Sequence, residues 1–130
     1  MPAASIPEEA WRAGDVARLR YPLIWMRMGE DTYINIPPDH FDPIRACKPF
    51  TRYDAIGVIE AGVTLKIERI IRPNVPNSVG GKRIIARILD GEHAGKEARL
   101  CAGRAPSVYH NNEFFMVPDP DYFEMIAREN

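Results

Sequence analysis

Cysteine is scarce in this chain: Cys47 and Cys101 are the only two among 130 residues. Neither has a second Cys or a His at ligand spacing, so a zinc-type centre has no support and no cofactor is implied. Two small buried thiols, or one long-loop disulfide of an exported protein, fit the pair equally. Net charge is missing too: seventeen basic side chains against eighteen acidic leave −1. Domains that work on a phosphate backbone usually carry a clear basic excess, so this balance disfavours nucleic acid as a partner. No apolar run reaches the length of a bilayer span, and the first residues lack a basic-then-apolar signal pattern. A leader removed beforehand would leave no trace, so cytoplasm and cell envelope both stay open. Phosphate loops, dinucleotide fingerprints, nucleophile elbows, internal repeats and low-complexity tracts are all absent.

What remains is an ordinary globular balance of 45% apolar and 27% charged residues in a length that makes one domain. Twelve prolines, against an average of roughly 5%, favour short strands joined by shaped loops over long helices. The clearest pattern runs over residues 62–100. Val63, Leu65 and Ile67 alternate with Thr64, Lys66 and Glu68, a period of two that belongs to a strand with one buried face. The alternation resumes in Ile84, Ala86 and Ile88 after a tip rich in Pro, Asn, Ser and Gly over residues 72–82. Asp90 to Lys96, with glycines at 91 and 95, then turns the chain into a third strand over 97–101. These three strands predict a twisted antiparallel meander curled into a small barrel.

Around this centre the sequence predicts a short N-terminal helix over residues 6–13. Ser5 and Glu8 form its capping box, and Gly14 ends it. Trp11 on that helix is expected to plug one end of the barrel. Strands follow over 15–21 and 23–28, separated by Pro22, and again over 55–60. Residues 29–54 carry four prolines among aromatic and charged residues and read as one long irregular excursion, the sort of loop that often carries function. Extended pieces over 108–110 and 113–117 flank a turn at Asn111-Asn112. Asp119 and Pro120 then open a C-terminal helix with Tyr122, Phe123 and Ile126 as its apolar stripe. The domain plan is therefore a helix and arm over 1–14, a barrel over 15–118 and a helix over 119–130.

Residues 83–100, RIIARILDGEHAGKEARL, resemble the KOW motif of small Src-homology-3-like barrels in ribosomal proteins and transcription elongation factors. The family commonly has a glycine two residues after the lysine of the turn, where this chain has Ala98. The longer run from Val16 through AIGVIEAGVTLKIERI is similar to bacterial Src-homology-3-like domains. Many of those are non-catalytic modules of the cell envelope that bind peptides, wall fragments or partner domains. Pattern and resemblance together lead to the expectation of a mostly β fold, a small Src-homology-3-like antiparallel barrel of five to seven short strands, with the short helix read from the sequence at each end.

No constellation carries a catalytic signature. His40, His93 and His110 lack an i, i+4 partner, and neither cysteine stands at a helix start that would activate its thiol. A small hydrolase built on one of the cysteines is the third-ranked reading. The leading expectation is a binding module for a protein or peptide, using the face of the 29–54 loop: Trp25, Tyr33, His40, Phe41, Arg52 and Tyr53. The alternative is a KOW-like nucleic-acid binder using Arg83, Arg87, Lys96 and Arg99.

Overall fold

The computed structural model describes residues 8–40, 54–71, 83–100, 107–110 and 113–128, with 107–110 and 113–114 as backbone alone. Among the described residues ten strands follow one another: β1 (Val16–Leu19), β2 (Leu23–Met28), β3 (Asp31–Asn35), β4 (Ala55–Ile59), β5 (Thr64–Ile71), β6 (Arg83–Ile88), β7 (Glu97–Leu100), β8 (Ser107–His110), β9 (Glu113–Met116) and β10 (Phe123–Ala127). Eight form one sheet in the order β10-β1-β5-β6-β7-β3-β2-β4, while β8 and β9 pair as a separate hairpin. The fold is mostly β, as the alternation predicts, and the large sheet is not closed.

Two short links dictate the shape of that sheet. β1 and β2 stand five places apart in it, as do β4 and β5. Five places across a flat sheet measure about 24 Å. The link over 20–22 can span about 14 Å when fully stretched, and the link over 60–63 about 18 Å. The sheet must therefore roll until the strands each link joins come close. The second link is a tight turn with Gly62 at φ 93°, the left-handed region that a side chain disfavours. Its Gly62 N–H donates to the Leu19 carbonyl at 2.8 Å, and the Leu19 N–H donates to Val63 at 2.9 Å. Pro22 sits in the first link, where its missing N–H breaks no ladder bond.

The inside of the roll is the core. Ala17 and Leu19 of β1, Leu65 and Ile67 of β5, Ile84, Ala86 and Ile88 of β6 and Leu100 of β7 are all buried there. Each leucine and isoleucine among them contributes about 1.5–3 kcal/mol when fully withdrawn from water. The central meander pairs antiparallel throughout, Leu65 with Ile88, Ile67 with Ala86 and Ala86 with Ala98. The 90–96 turn is built as its glycines suggest, with Gly91 at φ 81° and Gly95 at φ 90°. Asp90 ties it to the start of β5, its carboxylate accepting from the Thr64 N–H at 3.1 Å and the Thr64 hydroxyl at 2.7 Å.

The ends of the chain depart from expectation. Residues 8–14 form turns and irregular chain instead of a helix, although Gly14 does take the left-handed conformation at φ 94°. Trp11 is buried in the core edge-on against Phe123, ring centres 5.2 Å apart, and its backbone N–H donates to the Met116 carbonyl at 3.0 Å. In the expected helix that backbone donor would bond the Pro7 carbonyl four residues earlier; here it is given to a distant strand. The expected C-terminal helix is the strand β10, antiparallel to β1. Asp119 caps a single turn, its Oδ1 accepting from Asp121 N–H at 3.0 Å and its carbonyl from Phe123 N–H at 2.9 Å. Phe123 then enters the core while Met125 and Ile126 stay exposed, so the helical stripe does not exist.

Two more corrections concern the middle of the chain. Residues 29–54 are not one irregular excursion, because β3 lies at their start, joined to β2 by a two-residue turn with Gly29 at φ 65°. The meander is also not purely antiparallel in its surroundings, since β3 runs parallel to β7 with Tyr33 opposite Arg99. The expected 72–82 tip, Asn111-Asn112 and both cysteines lie outside the described residues.

Candidate functional site

The outer face of the sheet over β3, β7, β6 and β5 forms an open groove of about 310 Å³. Its walls arise from the same period of two that builds the core. Where Ile84, Ala86 and Ile88 point inward, Arg83, Ile85 and Arg87 point outward, and on β7 Glu97 and Arg99 do so. A bulge in β5 between Ile67 and Arg69 resets its alternation, bringing Arg69 opposite Ile85 and Ile71 opposite Arg83. Glu30 from the β2–β3 turn, with Asp31 and Thr32 at the start of β3, completes the groove.

Three arginines (Arg69, Arg83 and Arg99) thus face three carboxylates (Glu30, Asp31 and Glu97) across one depression. Part of this charge is already committed. Arg87, at the rim, donates to Glu68 at 2.5 Å, to Glu97 at 2.7 Å and to the Gly95 carbonyl at 3.1 Å. The Arg87 hydrogen bond holds the Glu68 carboxyl below the usual carboxylate range, and Glu68 in return raises Arg87. Glu97 also lies 3.8 Å from Arg69. Thr32 anchors β3 to β7 by donating its hydroxyl to the Glu97 carbonyl at 3.1 Å. Among the described residues, Arg83, Arg99, Glu30 and Asp31 have no ion-pair partner. The Arg99 guanidinium lies 5.8 Å from the centre of the Tyr33 ring, within range of a cation–π contact.

Of the residues expected to form an aromatic face, the described ones, Trp25, Tyr33 and His40, stand in three different settings. Trp25 pairs with Ile34 and Gly57 and packs toward the core, while Met26 and Tyr33 pair on the opposite face as a small buried cluster. His40 stands on a single 3₁₀ turn (Pro38–His40), its Nε2 2.8 Å from the Tyr21 hydroxyl and its ring tilted against that of Tyr21, ring centres 4.5 Å apart. Phe41, Arg52 and Tyr53 lie outside the described residues. Trp25 instead meets His93 of the 90–96 turn, ring centres 4.9 Å apart, over Gly57. A Cβ at Gly57 would stand 2.6 Å from the His93 Nε2, so the glycine makes room for the imidazole.

No family model, curated protein or solved structure matches this chain. The groove therefore has to be read from its own chemistry.

Of the four basic residues expected to touch nucleic acid, Arg83 and Arg99 line the groove, Arg87 is held at its rim by two carboxylates, and Lys96 sits in the turn outside it. The reading from sequence missed the carboxylates that share the face. The signal was present: Glu97 precedes Arg99 by two, which in a strand places both on one side. Arg69 was hidden, because only the bulge brings it to this face. Among the described residues no group of three or more His, Cys, Asp or Glu side chains could hold a metal ion.

Proposed function

We propose that the rolled sheet is a small Src-homology-3-like barrel, open between β10 and β4, that works as a non-catalytic module recognising a protein or peptide in this groove. The observation that carries the reading is the matched charge of the groove, three arginines and three carboxylates around Ile71 and Ile85. A polypeptide supplies charges of both signs and apolar side chains together, and its strand-like backbone suits a shallow groove running along strands. A polyphosphate chain would gain from Arg83 and Arg99 but would set its own charge against Glu30, Asp31 and Glu97.

Panning a random peptide library on the immobilised protein tests this. Enriched peptides should bind about tenfold more weakly to Arg99→Ala, the loss of one or two exposed charge contacts. Absence of any enriched peptide, together with poly(U) binding that falls steeply with added salt, would replace this reading with the KOW-like one.

A further inference from the structure

The charges that line the groove are sorted by sign along the strand direction. Glu30 and Asp31 stand at the β2–β3 turn, with Glu97 beside them on β7. Two residues further along β3 and β7 the paired positions are Tyr33 and Arg99, and Arg99 pairs in turn with Ile85, which faces Arg69. Two residues beyond that on β6, in the direction of its N-terminus, stands Arg83 opposite Ile71. Successive rows of side chains on one face of a strand are about 6.8 Å apart. The groove therefore runs from an acidic row, through a row holding Arg99 and Arg69, to a row holding Arg83.

An extended peptide laid along these strands presents every second side chain to the sheet at the same spacing. The geometry points to a partner segment with one basic side chain and two acidic ones at alternate positions: the basic residue against Glu30 and Asp31, the acidic residues against Arg99 and Arg83. The fork of each guanidinium donates two parallel N–H bonds to a carboxylate, which adds register to attraction. Arg87, opposite Glu97 on β6, is held at the rim by Glu68 and Glu97 together, so Glu30 and Asp31 are the acidic groups of that row left for a partner. This assignment rests on the reading of the groove as a peptide site, and it adds the order of charges that the occupant must carry.

Four labelled synthetic decapeptides in a threonine background test it by fluorescence anisotropy. Two carry the cores Lys-Thr-Glu-Thr-Glu and Glu-Thr-Glu-Thr-Lys, and two controls carry three lysines or three glutamates at the same positions. One mixed peptide should bind about tenfold tighter than either control, an advantage that shrinks as salt screens exposed charges. Asp31→Lys, at an exposed site that leaves the core untouched, should transfer the preference to the all-glutamate peptide. An all-glutamate peptide that binds the wild-type protein as tightly as the mixed ones would overturn the charge order and leave the peptide site standing. Failure of all four peptides to bind, with poly(U) bound instead, would overturn both.

Discussion

The centre of the chain and its two ends are held by different forces. The meander of β5, β6 and β7 is a run of aliphatic side chains buried on one face and paired strand to strand. The ends meet at one polar knot. Arg128 donates from Nε and Nη2 to the two oxygens of Asp15, both at 2.9 Å, from Nη2 to the Ala10 carbonyl at 3.0 Å, and from Nη1 to the Glu8 carbonyl. Asp15 is fully buried, and it also accepts from the Arg12 N–H at 2.8 Å. Apolar packing tolerates small adjustments, whereas a buried carboxylate needs each of its partners in place. Regular alternation therefore announces itself in sequence, while a knot between residues over a hundred positions apart does not.

The contrast can be broken at either end. Ile67→Ala, which empties a fully buried site in β5, should destabilise the whole domain by about 4 kcal/mol in urea unfolding. Arg128→Met should lose about 3 kcal/mol, because Asp15 keeps its burial and loses its counter-charge. Hydrogen exchange separates the two: Arg128→Met should speed exchange first in β10, while Ile67→Ala speeds it in every strand of the sheet. Gly57→Ala tests the contact between β4 and the 90–96 turn and should cost about 2 kcal/mol by overpacking against His93. Adding His93→Ala to that variant should recover a good part of the loss, and no recovery would show that the glycine is needed for another reason.

The smallest effect belongs to the Arg87–Glu68 pair on the surface. Because Glu68 titrates lower in the folded chain than in the unfolded one, its stabilisation is complete above the ordinary carboxylate range and is lost as pH falls through the folded value. Glu68→Gln should flatten that part of the acid limb in thermal melts, by slightly lowering the melting temperature at neutral pH and leaving it unchanged at pH values below the limb. An unaltered acid limb would mean the pair contributes nothing.

How far the sequence could be read obeys the same division. Leu65, Ile67, Ile84, Ala86 and Ile88 lie inward as their alternation predicts, and Gly91 and Gly95 shape the turn between β6 and β7. β3 was hidden by the prolines counted against the whole 29–54 stretch, yet the first of them, Pro37, comes after β3 has ended at Asn35. The Gly29-Glu30 pair between two apolar runs was the hairpin signal that went unused. At the C-terminus, Asp119 and Pro120 are true turn formers, and the turn exists. The path of the chain beyond that turn is decided by the open backbone of β1, which β10 fills and which no local pattern can reveal. Half of the groove was legible as outward arginines. The carboxylates that balance them, and the bulge that delivers Arg69, required the strands to be placed side by side.

The bond from Arg128 to the carbonyl of Glu8 has an architectural consequence. Entry and exit of the described chain lie at one spot on the surface, like the two legs of a staple. Such a unit can be spliced into an exposed loop of an unrelated host without prying that loop apart.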